Sequence, residues 1–362
     1  MFHEFPEVWI QMVADKTKLN KFIEKSATEW GAALGVLLTF AGDRLGLFKA
    51  MAGAGPLTPE ELARKTGTHP RIMREWLAAQ AAGGIVTYNA NSGTYVLPEE
   101  HAVALIDENS PAYIAGGYQL ITGLFKDEEK IIEAFKTGKG LGWGDHHHYL
   151  FQSTERFFKP NYIANLTSSW IPALDAVEAK LKNGGAKVAD VGCGHGASTI
   201  LMAKAYPSSQ IVGFDFHRPS IEWARQEAEK EGLKNITFEV AGSTDYPGDD
   251  YDLVTFFDCF HDMGNPAGAA KHVLQTLKKN GSWMIVEPFA NDKVEDNLNP
   301  LGRLSYSVST VVCVPSSLSE NGPALGAQAG EARTRDIVME AGFSKFRRAT
   351  QTPFNLVFEA KP

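Results

Sequence analysis

The chain has 362 residues, 44% hydrophobic and 22% charged, which are ordinary proportions for a globular protein and enough for two domains. A net charge of −8 gives no electrostatic basis for holding nucleic acid or an anionic membrane surface. Cys193, Cys259 and Cys313 are odd in number and have no CxxC spacing, which excludes a disulfide frame and a structural zinc site.

The start, Met1-Phe2-His3-Glu4, lacks a basic-then-apolar signal pattern, so a cytoplasmic location is expected. Apolar residues then recur at three- and four-residue steps over 17–51, predicting helix. The longest apolar run, Gly31 to Gly42, is broken by Asp43 and Arg44 and is too short to span a bilayer. Thr58-Pro59-Glu60-Glu61 is a helix start, with Thr58 as cap and acids in the first turn. That helix stops at Gly67, and a second runs through Arg71 to Ala82 and closes at Gly83-Gly84. Two short strands, 85–88 and 94–97, flank a polar turn. Helix, turn, helix and a two-stranded wing describe a winged helix. Its residues 57–97 carry four basic against three acidic side chains, far from a phosphate-reading stripe. Dimerisation is therefore expected of it, and DNA binding is not.

A helical connector fills 101–183, interrupted by Gly138, Gly140, Gly142 and Gly144. These glycines and Trp143 and His146 predict a substrate lid. The neighbouring His147 and His148 make no metal site with His146, because consecutive side chains diverge. From 184 onward strand and helix alternate, with strands expected near 187–191, 210–214, 236–240, 252–257, 283–287, 344–349 and 354–359. The last two have a short connection and predict an antiparallel edge hairpin. The division expected is 1–100, 101–183 and 184–362.

The first of those strands ends in Asp190 and enters Gly192-Cys193-Gly194-His195-Gly196. Twenty-one residues past Gly194 the next strand ends in Asp215. Glycines let the backbone approach a ligand, and an acid at the second strand end is placed to bind ribose hydroxyls. Asp190 is read as facing the charged end of an amino acid. The fourth strand runs into Asp258-Cys259-Phe260-His261-Asp262, placing His261 at the sheet edge where open α/β sheets hold ligands. The plain alternative for His261 is a strand-end histidine satisfied by backbone.

Asp190 to Gly196, Asp215-Phe216, His261-Asp262-Met263 and Val286-Glu287-Pro288 together resemble the class I S-adenosylmethionine-dependent methyltransferases. With the winged helix in front, nearly the whole chain is similar to the small-molecule O-methyltransferases, which form dimers. The resemblance implies a seven-stranded doubly wound α/β domain that binds S-adenosylmethionine. It places Asp190, Gly192, Gly194 and Gly196 at the methionine end, Asp215 and Phe216 at the ribose, and Ser243 in the adenine-contacting turn. Asp258 falls near the adenine and the methyl. The resemblance also implies His261 as catalytic base and Glu287 as the group orienting it. Met263 stands where the family has tryptophan, and the adenine turn Ala241-Gly242-Ser243-Thr244 lacks the family's acid.

Methyl transfer from a sulfonium is an in-line displacement, so alignment does most of the work. A hydroxyl acceptor also needs a base, and histidine suits that task near neutrality. Arg303 and Tyr306, between the fifth strand and the last helix, are candidates for the acceptor pocket, with Arg303 matching a carboxylate. The leading expectation is O-methylation of a small molecule. The alternative is S-methylation of a thioether acid such as 4-methylthio-2-hydroxybutyrate, the chemistry of dimethylsulfoniopropionate synthesis in similarly organised bacterial enzymes. A thioether has no proton to lose, so a base is dispensable there. Outside this class stand a DNA-binding regulator that uses the nucleotide site as a sensor, and a nicotinamide-dependent oxidoreductase.

Overall fold

The computed structural model describes residues 15–362. The absent signal pattern at Met1-Phe2-His3-Glu4 lies outside the described residues. These pack as two units, one up to Asp107 with Tyr113–Thr122, the other Glu108–Ala112 with Gly123–Pro362. The expected connector is divided between the two.

In the first unit, α1 (Lys16–Arg44) is followed by α2 (Leu47–Met51), broken from it at Gly46 with φ +67°. The sequence predicts one helix here; the left-handed glycine makes it two. α3 (Pro59–Thr66) begins with a reciprocal cap in which Thr58 and Glu61 satisfy each other's backbone N–H, and stops at left-handed Gly67. α4 (Pro70–Ala82), β1 (Thr87–Asn89) and β2 (Thr94–Val96) complete the winged helix. Leu47, Phe48, Leu62, Met73, Trp76, Leu77 and Tyr95 form its core. α5 (Glu99–Ile106) and α6 (Ala115–Phe125) follow.

In the second unit come α7 (Glu128–Thr137), α8 (Tyr149–Asn165) and α9 (Val177–Asn183). The alternating part runs β3 (Lys187–Val191), α10 (Ala197–Ala205), β4 (Gln210–Asp215), α11 (Arg218–Lys230), β5 (Ile236–Val240), β6 (Tyr251–Phe257), α12 (Pro266–Thr276) and β7 (Leu277–Pro288). α13 (Pro300–Val308), α14 (Val314–Ser319), α15 (Gly330–Glu340), β8 (Lys345–Gln351) and β9 (Asn355–Lys361) end it.

The seven-stranded sheet has the order β5-β4-β3-β6-β7-β9-β8. β3 to β7 are parallel, while β9 is antiparallel to β7 and β8 to β9, the expected edge hairpin. Alternate residues of each strand enter opposite cores. Val254, Phe256, Trp283, Ile285 and Phe358 pack under α12 and α15. Val188, Leu253, Met284, Val286 and Val357 pack against α9, α10 and Trp170. Covering both faces explains why the strands read as nearly continuous apolar runs. It also leaves the carboxyl ends of the parallel strands as the place where polar side chains collect.

Candidate active site at the carboxyl edge of the sheet

The turn after β3 is closed by its neighbour strand. Gly192 N–H donates to the Phe214 carbonyl at 2.8 Å, and Gly194 N–H donates to Asp215 Oδ2 at 2.9 Å. Gly194 has φ +52°, and a Cβ there would meet nothing within 4 Å, so its backbone borders open space. Gly196, at φ +81°, serves packing: a Cβ would lie 2.7 Å from the Phe238 ring and 2.9 Å from Ala224. Asp215 Oδ1 accepts from His217 N–H at 2.8 Å. Burial raises the Asp215 pKa, and these two backbone donors pull against it. Phe216 beside it is exposed, while Ser243 is half-buried in the turn after β5. Asp245 Oδ1 accepts from Gly242 N–H at 2.9 Å, so an acid three residues past Gly242 closes this turn.

Asp190 is engaged by the protein itself. Its Oδ2 accepts from the hydroxyls of Ser198 at 2.7 Å and Thr199 at 2.6 Å, and its Oδ1 from Thr255 at 3.0 Å. With only 1% of its surface exposed, the carboxylate faces these hydroxyls. Asp258 differs. It is half-buried, with Tyr162 Oη donating at 3.2 Å and Asn355 Nδ2 at 2.9 Å.

His261 lies in a short 3-10 turn after β6, and β7 delivers Glu287 beside it. His261 Nδ1 sits 2.6 Å from Glu287 Oε2, and Phe260 N–H donates to Glu287 Oε1 at 3.1 Å. Burial is the largest single influence and lowers the His261 pKa, but the Glu287 carboxylate and Cys313 together outweigh it. The ring is held well above its ordinary 6.5.

α8 runs over this edge and presents one face to it. Phe151 packs on the His217 ring at 4.6 Å, Glu155 Oε2 meets His195 Nδ1 at 3.0 Å, and Tyr162 reaches Asp258. Their spacing of 151, 155 and 162 follows the helical repeat. Tyr162, Asn355, Glu155 and Asp245 were not singled out in the sequence. The only signal was the polar and aromatic stripe of α8, which reads equally as core.

The glycine-rich loop docks against α14, where Leu141 N–H donates to the Pro315 carbonyl at 2.9 Å. Trp143 packs against Phe151 at 5.5 Å. His146 is buried, its Nδ1 lies 3.0 Å from Asp127 Oδ2, and its Nε2 has no hydrogen-bond partner. Asp127 also accepts from His147 N–H at 2.8 Å. Arg303 on α13 is exposed, and Tyr306 one turn on is half-buried. A cavity of about 400 Å³ lies elsewhere, lined by Phe289, Asn297, Leu301 and Pro353 among others. None of the sequence-predicted residues lines it. Asn297 there spends its amide on the backbone of Asn291 and Lys293, so the cavity offers little free polarity.

Residues 182–322 match the model of a methyltransferase domain, and residues 32–106 that of an Rv2258c-like winged HTH domain. The chain is 30% identical over 122 residues to the YcgJ methyltransferase of Bacillus subtilis, covering 33% of this chain and 47% of that one. It is 28% identical over 103 residues to malonyl-[acyl-carrier protein] O-methyltransferase of a Paenibacillus, covering 27% and 37%. It thus spans less than half the length of these two relatives. Human N-acetylserotonin methyltransferase, solved with SAM, superposes with a TM-score of 0.69 at 18% identity, over 97% of this chain and 99% of that one. An O-methyltransferase family protein from Burkholderia thailandensis gives 0.68 at 17% identity, over 96% and 98%. The fold is shared along nearly the whole chain.

Proposed function

We propose that this chain, a methyltransferase domain behind a winged helix, transfers a methyl group from S-adenosylmethionine to the hydroxyl of a small molecule, with His261 as base. One observation carries the reading: a sheet-edge histidine held at 2.6 Å by a buried carboxylate, one strand from a glycine turn closed on a buried acid. The residues fit the cofactor. Gly194 borders open space and donates to Asp215, which with its exposed neighbour Phe216 suits a ribose, and Ser243 lies in the turn after β5 for the adenine. When bound, S-adenosylmethionine supplies a methyl group already carried on a good leaving group.

The rest is done by side chains of this chain. Glu287 keeps the proton on Nδ1 of His261, so Nε2 is the atom that takes the acceptor's proton. The imidazolium that results is stabilised by the same carboxylate. His146, with Nε2 buried and unpartnered, supports an acceptor contact from the glycine-rich loop, beside Trp143. Tyr306 and Arg303 are assigned to the outer part of the acceptor pocket. Calorimetry tests the cofactor: S-adenosylhomocysteine binds and NAD does not. Tight NAD binding with no response to the sulfur ligand sinks the reading. Given a panel of phenols, His261→Ala is expected to cost roughly 10²–10⁴ in rate.

A second reading is favoured by one observation. Glu287 with Cys313 lifts the His261 pKa well above its ordinary value, which favours the charged ring, and a charged imidazole anchors a carboxylate but takes no proton. That suits S-methylation of a thioether acid such as 4-methylthio-2-hydroxybutyrate, whose sulfur lone pair attacks without a base. In this case His261→Ala and Arg303→Ala raise KM for the acid and leave kcat near its starting value. The two readings therefore separate on which kinetic constant moves.

A further inference from the structure

The carboxyl edge of the sheet gathers several acids, and what compensates each one differs. Asp190 has three hydroxyls, Asp215 has two backbone N–H groups, and Glu287 has His261. Asp258 has two neutral donors, Tyr162 and Asn355, and a like charge close by in Glu287. The His261 ring offsets this in part, but that ring is already paired with Glu287. Asp258 is thus an acid with a charge still to be matched. So is Asp262 beyond His261, whose pKa burial and Glu287 raise to about 7. Of the two, Asp258 adjoins Cys259, the residue that meets the glycine turn. It also keeps surface open, whereas Asp190 is 1% exposed.

The backbone agrees. Asp258 has φ +51°, in the left-handed region that non-glycine residues seldom adopt. Such strain persists where surrounding structure enforces it, and it concentrates at functional positions. Here it turns the chain as β6 ends and sets the next residue, Cys259, against the glycine turn. A Cβ on Gly192 would lie 2.8 Å from Cys259 Sγ, and that thiol donates to the Val191 carbonyl at 3.5 Å. Asp258 is therefore the residue immediately before the one that packs on the loop bordering the proposed ligand.

We propose that Asp258, and not Asp190, is the counter-charge for the ammonium group at the amino-acid end of S-adenosylmethionine, an inference that rests on the cofactor reading above. An ammonium brings both the missing positive charge and N–H donors to a carboxylate. Burial, with Glu287 adding to it, pushes Asp258 up to about 7, the state expected of an acid waiting for a cation. Asp190 instead fastens β3 to the first turn of α10 and to β6.

The test compares two ligands by calorimetry. S-Adenosylhomocysteine has the amino-acid end, and 5′-methylthioadenosine has the same nucleoside and sulfur without it. Asp258→Asn is expected to weaken the first by roughly 10- to 100-fold, the scale of a hydrogen bond to a charged group, and to leave the second unchanged. Asp190→Asn is expected to lower stability and leave the ratio of the two affinities as it was. Equal losses for both ligands, or an unchanged S-adenosylhomocysteine affinity in Asp258→Asn, overturn the proposal while the cofactor reading stands. If the unaltered protein binds neither ligand, the cofactor reading itself fails and takes the proposal with it. Should Asp258→Asn not fold, Asp258→Ser puts the same comparison to the same test.

Discussion

Of the histidines that meet carboxylates, His146 and His261 have pKa values shifted in opposite directions. Burial lowers both. At His146 burial prevails over Asp127 and the pKa stays below 6.5, whereas at His261 Glu287 with Cys313 prevails and lifts it well above. For a hydroxyl acceptor the rate is therefore expected to rise with pH, with a midpoint above the ordinary histidine value, because only the neutral ring takes a proton. Glu287→Gln removes the lifting charge, so that midpoint should move down, as read from kcat/KM against pH; an unmoved midpoint rules out the pairing as its cause. The same pair has a stability consequence. Its contribution is complete below about 6.5 and is lost as pH rises through the raised folded pKa. Asp190 also has a raised pKa, about 6 against 3.8, caused by burial and partly offset by its three hydroxyl donors. The folded state holds this proton more tightly, so stability falls as pH rises from about 4 to about 6. The amide introduced by Asp190→Asn cannot ionise. Denaturant titrations should thus show the variant gaining on the unaltered protein across that range, by up to roughly 3 kcal/mol. A pH-independent difference would mean that Asp190 does not titrate there.

At the scale of elements, the site is built by α8 and by the loop before it, not by strand ends alone. α8 carries a proline, Pro160, yet stays helical to Asn165, and one face supplies Phe151, Glu155 and Tyr162 to the sheet edge. The glycines of the loop differ in purpose. Gly138 ends α7 with φ +66° in open space, whereas Gly140 has φ +78° and a Cβ there would overlap the Pro315 carbonyl and Ser319 N. Gly138→Ala should cost about 1 kcal/mol, the backbone term alone. Gly140→Ala should cost more, roughly 2–4 kcal/mol, because the backbone term and overlap with rigid main chain add. Thermal unfolding distinguishes them, and equal costs would show that the loop can leave α14 without penalty.

At the scale of the molecule, the exposed apolar face of α1 calls for a partner. Phe22, Trp30, Leu34 and Leu37 are 65%, 68%, 64% and 49% exposed and lie on one helical stripe. A homodimer through this face is the proposed cover. Light scattering should report a dimer, and Trp30→Glu with Leu34→Glu should shift it to monomer; a dimer that survives both changes places the interface elsewhere. Retention of a DNA fragment at physiological salt would count against the near-neutral winged helix as a dimerisation module. Among the described residues no helix is long and apolar enough to cross a membrane.

How far the sequence alone reached follows from the range of the forces involved. Strand positions, the edge hairpin and the winged helix were legible because burial on both faces, capping residues and turn glycines act over a few neighbours. Asp215 and the glycine turn were legible for the same reason, since the motif encloses its own geometry. One long helix over 17–51 was expected and two were found, since a lone glycine carries no mark of its φ. Local pattern could not say which acids have partners. Asp190 and Asp258 both lie at the carboxyl ends of strands, but one is sealed by Ser198, Thr199 and Thr255, and the other meets Tyr162 and Asn355 from far along the chain. Asp127 finding His146 and Glu155 finding His195 are likewise decided by how α7 and α8 pack. Charge compensation depends on groups distant in sequence, and only the folded chain brings them within reach of one another.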